Sequence, residues 1–277
     1  MKQRIISSVV LWTTVILLVW LLGIYGGLIL IAVLSALAQK EVYGLLHRTS
    51  GEPLPVIGVT GGTVFLGLLV VFASSHAVDF PYVAALGLTV PGVVVAVMLC
   101  TPVHQLGRRL FPTLTGFLLV PMGLGFFAVI GTLPKVTEGQ GLFLAVWVVA
   151  VAKFSDVGAL LIGSRIGRRP LAPSYSPKKT VEGAIGGIAT SVAIGCVLPA
   201  IFSNLAPVGL GFFFSAFLAA LVGALAIFSD LLGSALKRNA SVKDSGSGIP
   251  GIGGGLDLMD SLLLTGPFAC AAFVLFL

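Results

Sequence analysis

Apolar residues run along this chain in long blocks separated by short polar breaks. Blocks of bilayer-crossing length, on the order of 20 residues each, lie at about 4–22, 24–46, 55–74, 80–99, 112–131, 142–163, 183–203, 210–234 and 257–277. The pattern predicts an all-α, polytopic membrane protein with about nine transmembrane helices. Composition agrees: 57% of the 277 residues are hydrophobic, 9% are charged and the mean hydropathy is +1.11, values foreign to soluble domains. The first block follows Lys2 and Arg4 but is long and has no small-x-small cleavage site, so it reads as a retained anchor. Cys100, Cys196 and Cys270 sit in or beside apolar runs without ligand spacing and are expected as buried thiols.

Basic residues collect on the cytoplasmic side of short loops. With nine spans, the N-terminus and the loops after spans 2, 4, 6 and 8 share one face. Of the 16 basic residues, only Lys135 falls on the opposite face and Lys153 inside a span. The expectation is N-terminus cytoplasmic, C-terminus outside, in a multi-pass protein of the cell membrane. The net charge of +6 suits an anionic lipid surface, and no nucleic-acid partner is expected. Charge, Gly, Ser and Pro concentrate in loops 164–182 and 235–256. The chain therefore divides into an N-terminal transmembrane bundle, 1–140, and a region carrying the chemistry, 141–277. It shows no soluble domain, internal repeat or low-complexity tail.

Ionisable residues inside the hydrocarbon cost about 2.5 to 3.5 kcal/mol each by insertion scales, so those that persist merit a functional reading. Lys153 and Asp156 are spaced i, i+3 in span 6, which suits either a self-neutralising pair or a wet cavity. Asp230, Ser234, Lys237 and Ser241 recur at steps of four, three and four, predicting one polar helix face at the end of span 8. Asp257, Asp260 and Ser261 do the same at the start of span 9, where acids also suit a helix N-terminus. Asp230 and Asp257 come from consecutive antiparallel spans at similar expected depth, and two such carboxylates can share a divalent cation. Oxygen ligands favour Mg²⁺, which takes one or two carboxylates with phosphates and water. No His or Cys cluster competes for a metal.

Lys178, Lys179, Lys237, Arg238 and Lys243 supply an anion site, and the glycines at 251 and 253–255 let backbone amides approach phosphate oxygens. Ser176 to Glu182 reads as a helix start, with Ser176 as N-cap, Pro177 in the first turn, and Thr180 or Glu182 closing exposed amides. That start is either a structural cap or a further anion site. Acids, bases and bare backbone together point to a polyphosphate with its metal.

These residues resemble the membrane-embedded phosphatidate cytidylyltransferases, or CDP-diacylglycerol synthases. The family's C-terminal block is matched by Ser234, Leu236, Lys237, Arg238, Lys243, Asp244, Gly246, Ile249, Pro250, Gly253, Gly254, Asp257 and Asp260. Its upstream block is matched by Asp156, Gly163, Gly167, Arg168, Ser176, Pro177, Lys178, Lys179, Thr180, Glu182 and Gly183. The resemblance covers about residues 150–265; the N-terminal half resembles the family only as a set of apolar spans. Ile252 stands where the family has histidine, Leu258 where it has arginine, and Gly255 where it has an aliphatic residue.

The resemblance implies that phosphatidate attacks the α-phosphorus of CTP, giving CDP-diacylglycerol and pyrophosphate, with membrane lipids around the site and a homodimer as the assembly. Because the nucleophile is already an anion, no strong general base is needed, and a missing histidine is tolerable. Asp230 and Asp257 are expected as Mg²⁺ ligands, with Asp260 and Asp244 as supporting or additional ligands and a second cation admissible. Asp156 is expected to line the substrate cavity. Ser176, Lys178, Lys179, Thr180, Glu182, Lys237, Arg238 and Lys243 are expected to contact CTP or the phosphatidate head group. A CTP-dependent lipid-alcohol kinase of the polyprenol type is the nearest rival. A transporter is a more distant one, because it would not gather charge on two loops of one face.

Overall fold

The fold is seen in a computed structural model that describes residues 10, 13–15, 17–49, 51–75, 81–246 and 253–277. The expected first span, with Lys2 and Arg4, lies largely outside the described residues. So do Ile249, Pro250, Gly251 and Ile252. Among the described residues eight helical stretches are long and apolar enough to cross a membrane, one for each of the remaining predicted spans. The protein is thus an all-α multi-span membrane protein.

The helices are α1 (Ile24–Arg48), α2 (Pro55–Ser75), α3 (Pro81–Leu99), α4 (Leu106–Leu119), α5 (Pro121–Gly131), α6 (Glu138–Ile166), α7 (Val181–Ile201), α8 (Phe212–Asn239), α9 (Gly255–Met259) and α10 (Thr265–Phe276). Three of them open on proline, whose missing N–H costs nothing in a first turn. Pro121 also explains why one span is two helices: α4 stops at Leu119 and α5 starts two residues on. α6 opens with a capping box. Gln140 N donates to Thr137 Oγ1 at 3.3 Å, and Thr137 N donates to Gln140 Oε1 at 3.0 Å.

The described contacts group the chain into two compact units. One comprises Met1–Val129 with Leu236–Met259. Its core holds Phe65, Leu69, Val93, Val97 and Phe117. A buried polar chain ties its helices together: Gln39 Nε2 donates to Tyr43 Oη at 2.8 Å and to Gly58 O at 2.7 Å, and Tyr43 Oη donates to Thr113 O at 2.9 Å. Satisfied polar groups of this kind are what a hydrocarbon environment demands.

The other unit comprises Ile130–Ala235 with Asp260–Leu277. In it α6 and α7 pack through small residues. A Cβ at Gly187 would lie 2.7 Å from Ser155 O, so only glycine admits this approach. Hydrogen bonds cross the same helices: Trp147 Nε1 donates to Gly195 O at 2.9 Å, and Ser191 Oγ donates to Val151 O at 3.0 Å. The outward residues are apolar, with Leu160 70% exposed and Phe213 86% exposed, as lipid-facing positions are.

Four sequence expectations change. Ser176 is no helix cap: strand β1 (Pro170–Ala172) pairs antiparallel with β2 (Ser176–Thr180), and α7 begins only at Val181. The hairpin takes the backbone into extended geometry, and Thr180 is the N-cap instead, its Oγ1 accepting from Gly183 N at 3.1 Å.

The polar face of span 8 ends before Ser241. α8 stops at Asn239, and Ser241 takes φ +57° as Val242 N donates to Lys237 O at 3.0 Å and Ser241 N to Arg238 O at 2.9 Å. This pair of bonds is a Schellman closure. Span 9 is not one regular helix over Asp257–Ser261, because a 3₁₀ turn, Asp260–Leu262, separates α9 from α10. Of the cysteines, only Cys270 is buried; Cys196 is half-buried and Cys100 exposed, since a lipid-facing surface accepts apolar side chains as readily as a core does.

Candidate active site

The second unit gathers charged and polar side chains from four elements. β2 brings Lys179, α8 brings Asp230, α6 brings Lys153 and Asp156, and the 3₁₀ turn brings Ser261. Lys179 Nζ donates to Asp230 Oδ2 in a close ion pair whose side chains are 26% and 22% exposed. Lys153 Nζ lies 4.0 Å from Asp156 Oδ2 and donates to Ser261 Oγ at 2.7 Å. Lys153 thus joins Ser261 and Asp156, and Asp156 lies within electrostatic range of Lys179 and Asp230.

Strand geometry decides which of the paired lysines reaches this cluster. Consecutive strand residues point to opposite faces. Lys179 is half-buried against Asp230, while Lys178 is exposed.

Several expected site residues serve the local backbone. Glu182 Oε2 accepts from Arg168 N at 3.0 Å and Arg169 N at 3.1 Å, fastening the hairpin's first strand to the start of α7. Thr180 is spent on the cap, and Ser176 is half-buried in β2. Asp260 is buried: Ser261 N donates to its Oδ1 at 2.8 Å, and Ser229 Oγ donates to its carbonyl.

The first unit holds a second cluster. Lys237 Nζ donates to Asp257 Oδ1 at 2.6 Å, with side chains only 9% and 15% exposed. Asp257 Oδ2 accepts from Gly254 N at 3.0 Å, Ser245 Oγ at 3.0 Å and Ser245 N at 3.3 Å. Gly253 turns the chain into this grip at φ +122°, where a Cβ would also lie 2.7 Å from Asp257 Oδ2. Arg238, Lys243 and Asp244 are exposed, with Arg238 Nη1 donating to Val242 O at 3.4 Å.

The residue that sequence reasoning missed is Glu41, in α1. Its Oε1 accepts from Gly255 N at 2.9 Å, and its Oε2 accepts from Leu256 N at 2.9 Å and Ser245 Oγ at 2.7 Å. The available signal was a lone acid beside Lys40, at the end of a span otherwise read for its basic residues.

Among the described residues no group of three or more His, Cys, Asp or Glu is placed to hold a metal ion. The donor chemistry at Asp230 and Asp257 nonetheless suits a hard cation: each offers carboxylate oxygens, and each already carries a positive charge against them.

Comparison with known proteins adds to this geometry. A family model described as "Cytidylyltransferase family" matches residues 2–276, so the likeness extends through the N-terminal spans. The phosphatidate cytidylyltransferase of Bacillus subtilis (strain 168) is 30% identical over 283 residues, covering 100% of this chain and 98% of the relative. That of Brucella suis biovar 1 (strain 1330) is 31% identical over 263 residues, covering 95% and 89%. That of Helicobacter pylori (strain ATCC 700392 / 26695) is 39% identical over 141 residues, covering 51% of this chain; the matched part spans about half, 49%, of the relative.

Proposed function

The chain belongs to the cytidylyltransferase family, and from that premise we propose that it transfers the cytidylyl group of CTP to phosphatidate. The observation that carries this reading is the likeness to the Bacillus subtilis phosphatidate cytidylyltransferase along the entire chain. A phosphatidate oxygen forms a bond to the α-phosphorus of CTP as the bond between the α- and β-phosphates breaks. CDP-diacylglycerol and pyrophosphate are the products. Both reactants are anions, so the protein's task is to align them and neutralise charge.

Lys179 and Lys237 are suited to that task, because each is a half-buried or buried cation paired with an aspartate carboxylate. On this reading the lysines exchange their aspartates for phosphate oxygens when substrate arrives. Asp230 in one unit and Asp257 in the other would each offer carboxylate oxygens to Mg²⁺, whose positive charge would offset that of the phosphates. Asp156 and Lys153 stand near the Lys179 and Asp230 pair in a charged cluster within the apolar unit. Lys178, Arg238 and Lys243, all exposed cations, suit first capture of the triphosphate from water, and the exposed Asp244 remains a candidate additional ligand to the cation.

The basic residues gathered in these loops support a cytoplasmic-facing reading of this chemistry at the cell membrane, and a homodimer is carried over from the family resemblance. The decisive assay uses purified protein with phosphatidate, labelled CTP and Mg²⁺, with and without chelator. CDP-lipid and pyrophosphate that vanish with chelator support the proposal. CDP with a phosphorylated lipid alcohol assigns a kinase instead.

A further inference from the structure

Glu41 stands far along the sequence from both charged loops, yet its carboxylate meets the chain on both sides of Asp257's support. On one side it accepts the Ser245 hydroxyl, and on the other the amides of Gly255 and Leu256. No lysine or arginine forms an ion pair with it among the described residues.

Its position is rigidly supplied. Two residues before it, Gln39 is 1% exposed and bonded to Gly58 O; two residues after it, Tyr43 is 1% exposed and bonded to Thr113 O. The buried polar chain of the first unit therefore holds α1, and α1 holds Glu41. Around the carboxylate the backbone is bare. A Cβ at Gly246 would lie 2.6 Å from Glu41 Oε1, and one at Gly254 would strike Oε2.

Ser245 links this acid to Asp257. Its hydroxyl is within 2.7 Å of Glu41 Oε2 and 3.0 Å of Asp257 Oδ2, but it carries one hydrogen and can donate to one of them at a time. What Asp257 receives from Ser245 thus depends on whether Glu41 is present as an acceptor.

We propose that Glu41 is a positioning residue, which fixes the Gly254–Asp257 segment and the orientation of the Asp257 carboxylate for cytidylyl transfer. The inference rests on the functional reading above and goes beyond it by assigning a task to an N-terminal span. Groups that orient a metal-binding carboxylate typically change activity or metal affinity about 10- to 100-fold when removed.

The test compares Glu41→Gln, Glu41→Ala and Ser245→Ala with the parent protein. Glu41→Gln keeps the size of the side chain and removes one amide acceptor. The expected result is a kcat about 10-fold lower, KM for CTP within about two-fold, and a half-saturating Mg²⁺ concentration about 10-fold higher. Hydrogen exchange of the peptide over residues 253–262 should accelerate about 10-fold while peptides of α6 and α7 keep their protection.

Unchanged kcat in Glu41→Gln overturns the inference, as does a lowered kcat with unchanged exchange at 253–262. A parent protein that forms no CDP-lipid overturns the functional reading, and the exchange measurement then decides separately whether Glu41 holds this segment. If Glu41→Ala fails to fold, Glu41→Gln and Ser245→Ala carry the same comparison.

Discussion

Asp230 and Asp257 each face a lysine, but they are held in different ways. Asp257 accepts from Lys237, from the Gly254 and Ser245 amides and from the Ser245 hydroxyl, in a pair 9% and 15% exposed. Asp230 accepts, among the described residues, from Lys179, in a pair about a quarter exposed. Backbone donors keep Asp257 in place whatever Lys237 does. Among the described residues Asp230 has no such second hold, so there its orientation depends on a long, flexible side chain. One carboxylate is held by backbone amides, and the other, among the described residues, by a lysine side chain.

The largest expected effect is from Asp230→Asn, which keeps the volume but loses the charge: CDP-lipid formation should fall about 10²- to 10³-fold. A turnover near the parent's, in folded protein, removes Asp230 from the chemistry. Next come the lysines, and they sharpen the contrast directly. Lys179→Ala should lower kcat/KM about 100-fold and Lys237→Ala about 10-fold, because Asp257 keeps its backbone donors. The reverse order breaks the comparison.

Gly253→Ala should destabilise the first unit by about 1–3 kcal/mol, since its φ of +122° and the nearby Asp257 oxygen both oppose a side chain. Gly211→Ala in the second unit meets open space and should leave the melting temperature in detergent unchanged. A small effect of the opposite sign is expected at the end of α8. Ser241→Gly should raise stability by up to about 1 kcal/mol, because a left-handed residue closes the end of α8. A lower melting temperature would show that the serine side chain matters there.

Much of this was legible in the residues. Long apolar blocks locate the spans because each must satisfy its backbone internally in lipid; eight of them reappear as helical stretches among the described residues, though the one expected to start at 112 begins at Val103. The Lys153 and Asp156 pair follows from helical spacing alone. Ser176 to Thr180 was misread because a serine, a proline and a following acid suit a helix start, while pairing with Pro170–Ala172 is a nonlocal gain that no short window displays. Glu41 was missed for the same reason: its partners, Ser245, Gly255 and Leu256, are some two hundred residues away along the chain.

The sequence by itself determined that this is a membrane protein, where its spans run, and which acids and bases stand in or beside those spans. Those properties are set by hydrophobic length and by side-chain type. Only the tertiary structure decided that Lys179 rather than Lys178 meets Asp230, that Leu236–Met259 packs with the N-terminal spans, and that Glu41 grips the segment leading to Asp257. Such pairings depend on which surfaces bury against each other and on which backbone groups then need partners. They are fixed only once the whole chain has packed.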